Sequence, residues 1–384
     1  MNRKRILTTV LVFGCLTACA SDRTPTGTVT TRAPQNGIQP QALTDAQGVT
    51  HLVYFKGDPK AGDLFYVHRD ASAREFSNPI RVNSSAGSAI AIGTIRGAQM
   101  ATGRNGRIHV AWNGTGTTTN HAGVPMFYTR LNDTGTAFEP QRDVMTFTGG
   151  LDGGGSVAAD QEGGVYVAWH GNTPATAGKE AERAVYLAIS TDDGKTFARE
   201  QKVNPEATGA CGCCGLKAYA NSRGELFLLY RAARGGTERD ETLLASTDQS
   251  KTFRKLYTHP WQANTCPMSS AWIGAAPGNR TVAAWETNGK IWFTELDSTG
   301  EKAREPVSPA GRSQKHPCVA INARGETLVA WAEGTAWQKG GAVVWQVFNA
   351  EGKPASKITR IEALPVWSFP AALVRSDGDF EIIY

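Results

Sequence analysis

Two segments decide the fold: Gly163-Gly-Val-Tyr-Val-Ala-Trp-His-Gly171 and, after a gap, Ala184-Val-Tyr-Leu-Ala-Ile-Ser-Thr-Asp-Asp-Gly-Lys-Thr-Phe197. In the first, Val165, Val167 and Trp169 alternate with Tyr166, Ala168 and His170, the period of a strand packed on at least one face. In the second, Val185 to Ile189 is a β-rich run, and Ser190 to Phe197 turns the chain. Ser190 and Asp192 can accept bonds from nearby backbone amides, Gly194 can take φ > 0, and Phe197 can fill the gap between neighbouring strands. This turn chemistry makes the octet a structural staple rather than a source of catalytic carboxylates.

The module repeats. A turn glycine followed six residues later by an aromatic gives Gly48/Tyr54, Gly106/Trp112, Gly163/Trp169, Gly224/Tyr230, Gly325/Trp331 and Gly378/Tyr384, with Gly278/Trp285 one residue longer. The aromatics recur every 46 to 61 residues. That period, with strand-like content, predicts the blades of a β-propeller rather than a helical solenoid. Degenerate turn boxes follow at His68–Phe76, Asn132–Phe138 and Ser246–Phe253, the last with Ser250 where the glycine belongs.

The octet Ser190-Thr-Asp-Asp-Gly-Lys-Thr-Phe197 resembles the Asp-box of sialidase-like β-propellers. The expected fold is all-β: six complete four-stranded blades between residues 39 and 361, and a half blade from Phe369 to Tyr384. Closure at six or at seven positions is left open, with residues 20–37 expected to cover the open edge and Val29–Thr31 able to add a strand.

The N-terminus reads as an export signal: Arg3, Lys4 and Arg5, then an apolar run from Ile6 to Ala18 too short to span a bilayer. Leu16-Thr-Ala-Cys19 resembles the bacterial lipobox, which implies cleavage before Cys19 and its lipidation. The domains are then residues 1–18 as signal peptide, 19–38 as lipidated cysteine and polar tether, and 39–384 as propeller. The expected location is the bacterial cell envelope, at the outer membrane in a two-membraned cell, with the lipid as the sole membrane contact. The full chain carries 40 basic and 35 acidic residues, and loss of the three leader cations leaves +2. So small a surplus gives no footprint for nucleic acid.

In a repeat protein the positions that break the pattern are the functional candidates. Ends of second strands and starts of first strands are expected on one face around the axis. This nominates Trp112, His170, Tyr230, Arg231, Arg239, Asp240, Glu286, Glu333 and Trp337 as rim residues for a glycan, an envelope protein or a small ligand. Exported cysteines default to disulfides, here one of Cys211, Cys213 or Cys214 with Cys266. The alternative is a soft-metal site in which these thiolates, Met268 and His316 hold copper(I), or zinc without the methionine. The likeness to sialidases further implies an arginine triad, a tyrosine nucleophile with a glutamate partner, and an aspartate acid. No matching motif surrounds Arg96, Arg231 or Arg312. The family's Phe/Tyr-Arg-Ile-Pro opening is replaced by Gln39-Pro-Gln-Ala42, and Tyr384 ends the chain. A binding module is therefore the leading reading, ahead of an exo-sialidase-type hydrolase and a cysteine-based metal or redox protein.

Overall fold

The computed structural model describes residues 27–116, 121, 123–205, 207–296 and 313–384. The signal peptide, Cys19 and Arg312 lie outside the described residues.

Seven sheets surround one axis. Each of the first six begins with its inner strand: Ile38–Thr44, Gln99–Thr102, Ser156–Ala159, Lys217–Ala220, Trp272–Ala276 and Gln314–Ile321. Antiparallel strands follow outward, four to a sheet except in blade 5, where three are described and residues 297–312 are not. Inner strands of successive blades touch around the ring. They are rich in small residues such as Ala42, Ala101, Ala158, Ala218 and Ala372, because seven strands converging on an axis leave little width there.

Closure is sevenfold. Blade 7 consists of Ala371–Val374, Phe380–Ile383 and the N-terminal Thr28–Thr31, which runs parallel to Phe380–Ile383 with Val29 opposite Glu381. Its edge is fixed by Phe380 N–H to Gly27 O at 3.0 Å, Tyr384 N–H to Thr31 O at 3.1 Å and Ala33 N–H to Tyr384 O at 2.9 Å.

The repeated aromatics explain what holds the blades together. Trp112 packs in the cluster between blades 1 and 2, Trp169 between 2 and 3, and Tyr230 between 3 and 4. Trp285, Trp331, Tyr384 and Tyr54 fill the remaining four interfaces in order. Each lies in or directly after a second strand, where its large ring fills the space between neighbouring sheets. Trp112 and Tyr230, expected at the rim, are thus 1% exposed and belong to the core.

The octet turn behaves as its chemistry predicts. Ser190 Oγ accepts from Gly194 N–H at 2.9 Å, and Asp192 accepts from the Thr196 amide at 2.9 Å and its hydroxyl at 2.6 Å. Gly194 has φ +76, and a Cβ there would strike the Tyr128 hydroxyl. Phe197 meets the Tyr128 ring edge-on at 4.8 Å. The Ser246 box makes the same bonds with Ser250 at φ +66, so a serine accepts the left-handed conformation that glycine takes at no cost.

Candidate functional site

Residues at the ends of second strands and in the loops entering the inner strands do share one face, here called the upper face. Most of the expected rim side chains nevertheless turn inward. Arg231 is 2% exposed. Its guanidinium reaches Glu241 Oε2 at 3.0 Å and Glu286 Oε2 at 3.7 Å, and donates to Arg239 O at 2.7 Å. Glu286 accepts from Gly289 N–H at 2.6 Å. Arg239 pairs with Glu180 at 3.3 Å, and Asp240 accepts from Trp261 N–H at 2.9 Å. Glu333 takes the Trp331 indole N–H at 2.9 Å and the Arg360 guanidinium at 2.5 Å. These charges hold blades and loops together, and burial raises the pKa of Glu286 and lifts that of Glu241 to about 8 despite the adjoining cation.

His170 is sealed as well. Burial, then the nearby Arg183 charge, lowers its pKa to about 3, and both ring nitrogens lack a hydrogen-bond partner. A Cβ on Gly154 would meet both its ring and the Cys214 carbonyl, so glycine is required where these groups close together. Arg96 bonds the Asp152 carbonyl at 2.6 Å and the Ile92 carbonyl at 2.7 Å, and also pairs with the Asp152 carboxylate.

Cys213 and Cys266 form a disulfide that ties the entry loop of blade 4 to that of blade 5, Cα to Cα 6.6 Å. Cys211 and Cys214 are buried free thiols sharing a hydrogen bond at 3.3 Å, and Cys211 Sγ also lies 3.3 Å from Cys213 Sγ. The sulfurs of Cys211, Cys213 and Cys214 all fall within 4.8 Å of one another. The Cys214 hydrogen bond favours a thiolate at Cys211, whereas burial pushes the Cys214 thiol well up. His316 does not join them. Its ring spans the axis, bonding Ser270 Oγ and Thr94 Oγ1 at 3.0 Å each. Met268 turns toward Gly93, in the pocket shared with Trp337.

One expected residue does face solvent. Trp337 is 58% exposed and stands edge-to-face with Trp367, ring centroids 6.0 Å apart. Lys315, half-buried, and Lys339, exposed, line the same pocket with Met268 and Thr94. Neither lysine forms an ion pair among the described residues, and burial lowers the pKa of Lys315. Several residues of this face have left-handed backbones: Gln39 and His316 at irregularities in their inner strands, and Thr94, Met268 and Trp367 in loops, have φ between +49 and +61. Such strain in non-glycine residues collects where a surface is shaped for binding. Trp367 and Lys339 were absent from the sequence candidates, since they occupy no repeated position.

Below this face an axial channel of about 540 Å³ runs between the inner strands. Lys217 and Trp272 line both it and a smaller upper chamber.

The architecture is thus a seven-bladed β-propeller of sialidase-like fold. No protein-family model and no curated protein matches the chain. Among solved structures it is similar to the Hadza microbial sialidase Hz136, with TM-score 0.52 and 13% identity over 85% of this chain and 74% of that one. It is similar to the Trypanosoma rangeli sialidase in complex with the inhibitor DANA, at TM-score 0.52 and 11% identity, covering 82% of this chain and 57% of that one. It is also similar to the Penicillium chrysogenum alpha-L-arabinanase complexed with arabinobiose, at TM-score 0.51 and 12% identity, covering 83% and 95%. At such identities the likeness is one of fold. Function has to be argued from the site.

Proposed function

We propose that this chain is a binding propeller, held in the bacterial cell envelope through Cys19, whose upper face takes an acidic glycan. The observation that carries the reading is the exposed Trp337 beside Trp367, with Lys339 and the half-buried Lys315 lining the same pocket. An indole face offers a platform for the C–H face of a pyranose ring, and the lysines supply charge for a uronate or sialate carboxylate. A hydrolase of the sialidase type would need arginines free to clamp that carboxylate. Arg96, Arg231 and Arg239 are instead spent on internal carboxylates and carbonyls, which favours binding over catalysis. Titration calorimetry with sialyllactose and oligogalacturonate tests this. Trp337→Ala is expected to weaken binding about tenfold or more, the loss of one aromatic anchor, and Lys339→Ala to weaken it less. Unchanged affinity in Trp337→Ala would sink the assignment, and release of free sialic acid would restore the hydrolase.

A second reading rests on the sulfur cluster. With the Cys213–Cys266 bridge reduced, Cys211, Cys213 and Cys214 would offer three thiolates to one soft cation, copper(I) or zinc. The chain reduced under nitrogen is then expected to retain about one equivalent of copper(I) through desalting, and the Cys211→Ser variant to lose it. Equal retention by Cys211→Ser, or none by the parent, would remove the metal.

A further inference from the structure

The axial channel contains a cation, Lys217, for which the described residues supply no carboxylate within ion-pair distance. Lys217 opens the inner strand of blade 4, and its Nζ donates to Gln99 Oε1 of blade 2 at 2.9 Å. Its stem therefore passes blade 3 and lies across the channel, where the wide lower compartment meets the small upper one. Gln99 gives Nζ a neutral acceptor, and its own amide donates to Ala98 O at 3.2 Å. Among the described residues no carboxylate pairs with Lys217. The carboxylate lining the channel, Asp160, sits toward its lower mouth, where it accepts from the Gly164 and Glu162 amides and the Tyr166 hydroxyl.

A half-buried ammonium with one neutral partner gains from an incoming anion. Burial alone lowers the pKa of this lysine, to about 8. The space beside it suits a small molecule: about 540 Å³ lies within the usual range of ligand pockets. Its lining is mainly apolar, with Ala42, Ala101, Trp272, Ile321 and Val374 partly exposed along it, and Gln41 and Thr102 add polar atoms. The lower mouth lies among the turns that carry Ala46, Gln161 and Ser222, whereas above Lys217 Thr94 bonds across to His316. A ligand thus enters from below with its charge leading.

We infer that the axial channel is a binding site for a small carboxylate with an apolar body, whose carboxylate pairs with Lys217 Nζ. The inference is independent of the tryptophan pair on the upper face. Its selectivity follows from the lining: the cation demands the anion, and the apolar walls favour an aryl or alkyl body over an inorganic ion of the same charge.

The test is titration of the purified chain with benzoate, acetate and chloride, followed by ¹³C-observed NMR of the lysine ε-carbons and by calorimetry. Benzoate is expected to shift a single lysine resonance, assigned by its disappearance in Lys217→Met, and to bind more tightly than acetate or chloride. Lys217→Met should bind benzoate roughly tenfold more weakly or worse, as expected on losing a charge-assisted bond. Lys217→Arg should retain part of the affinity, and Trp337→Ala all of it. Should Lys217→Met fail to fold, Gln99→Ala takes its place: it leaves the cation and removes its neutral partner, so benzoate affinity should hold or rise. Benzoate that shifts no lysine signal overturns the proposal, as does equal binding by Lys217→Met. Tighter binding of chloride than of benzoate would mean that the channel selects inorganic ions.

Discussion

Replacing Arg231 with methionine is expected to destabilise the propeller by about 3–5 kcal/mol at pH 8, the usual result of removing one partner from a buried ion pair. The side chain joins Glu241 of its own blade to Glu286 of blade 5, and also donates to the carbonyls of Arg239 and Glu286. Methionine fills much of the volume but takes the guanidinium from two buried carboxyls and two carbonyls, with Glu286 keeping its bond from Gly289 N–H. The carboxyls answer by taking up protons. Burial already places Glu241 at about 8, above its unfolded value, and raises Glu286 as well. A group whose folded pKa is raised binds its proton more readily in the folded state, so its contribution to stability is lost as pH rises through that pKa. Removing the cation raises both values further. The loss in Arg231→Met should therefore be larger at pH 8 than at pH 5, which urea unfolding at the two pH values measures directly. A variant as stable as the parent, or a loss indifferent to pH, would show that the arginine is not the structural cation described here.

The residues around Arg231 show where sequence reading succeeds and where it stops. The turn octet, the glycine-to-aromatic interval and the strand periods are local, so the places of Gly194, Phe197 and Trp169 follow from the sequence alone. The repeated aromatics were legible as a framework. That Trp112 and Tyr230 belong to that framework follows once all seven are seen to fill inter-blade wedges. Departures from the repeat were a weaker guide, because a charge that breaks a pattern can do so to pair with another inside the protein. Arg231 with Glu241, Glu333 with Arg360 and Arg239 with Glu180 are all of this kind. Their partners lie 10, 27 and 59 residues away, and no spacing rule reaches them. Trp367 and Lys217 went unnoticed for the opposite reason. One sits in an irregular loop and the other on an inner strand, and only the closed ring brings them to Trp337 and to Gln99. The closure number was open for a similar reason, since the strand that completes blade 7 comes from the far end of the chain.

That closing strand carries the second large effect. A chain beginning at Ile38 lacks Thr28–Thr31, and with it the three backbone bonds that join Gly27, Thr31 and Ala33 to Phe380 and Tyr384. It also loses the hydroxyl of Thr31, which donates to Glu381 at 2.8 Å, and the buried methyl of Ala33. Three hydrogen bonds at about 1 kcal/mol each, with the small buried contact, put the loss at no less than about 3 kcal/mol. The larger consequence is kinetic. Phe380–Ile383 becomes an uncovered edge in which three of the four residues are apolar, which is a template for another chain. Glu381, 1% exposed and paired with Arg69, would then face water at that edge and only partly discourage pairing. The truncated chain is expected to unfold at lower urea and to scatter light on standing at concentrations where the longer chain stays clear. A synthetic peptide spanning residues 24–37, added in trans, should suppress the scattering and raise the midpoint, because strand addition at a sheet edge is driven by backbone bonds that the peptide can supply. If the truncation were neutral, blade 7 would be held by its two C-terminal strands alone, and the ring would not depend on the parallel pairing of its two ends. If it destabilised without rescue by the peptide, the stabilising contacts would lie in the covalent path through residues 32–37 rather than in the strand itself.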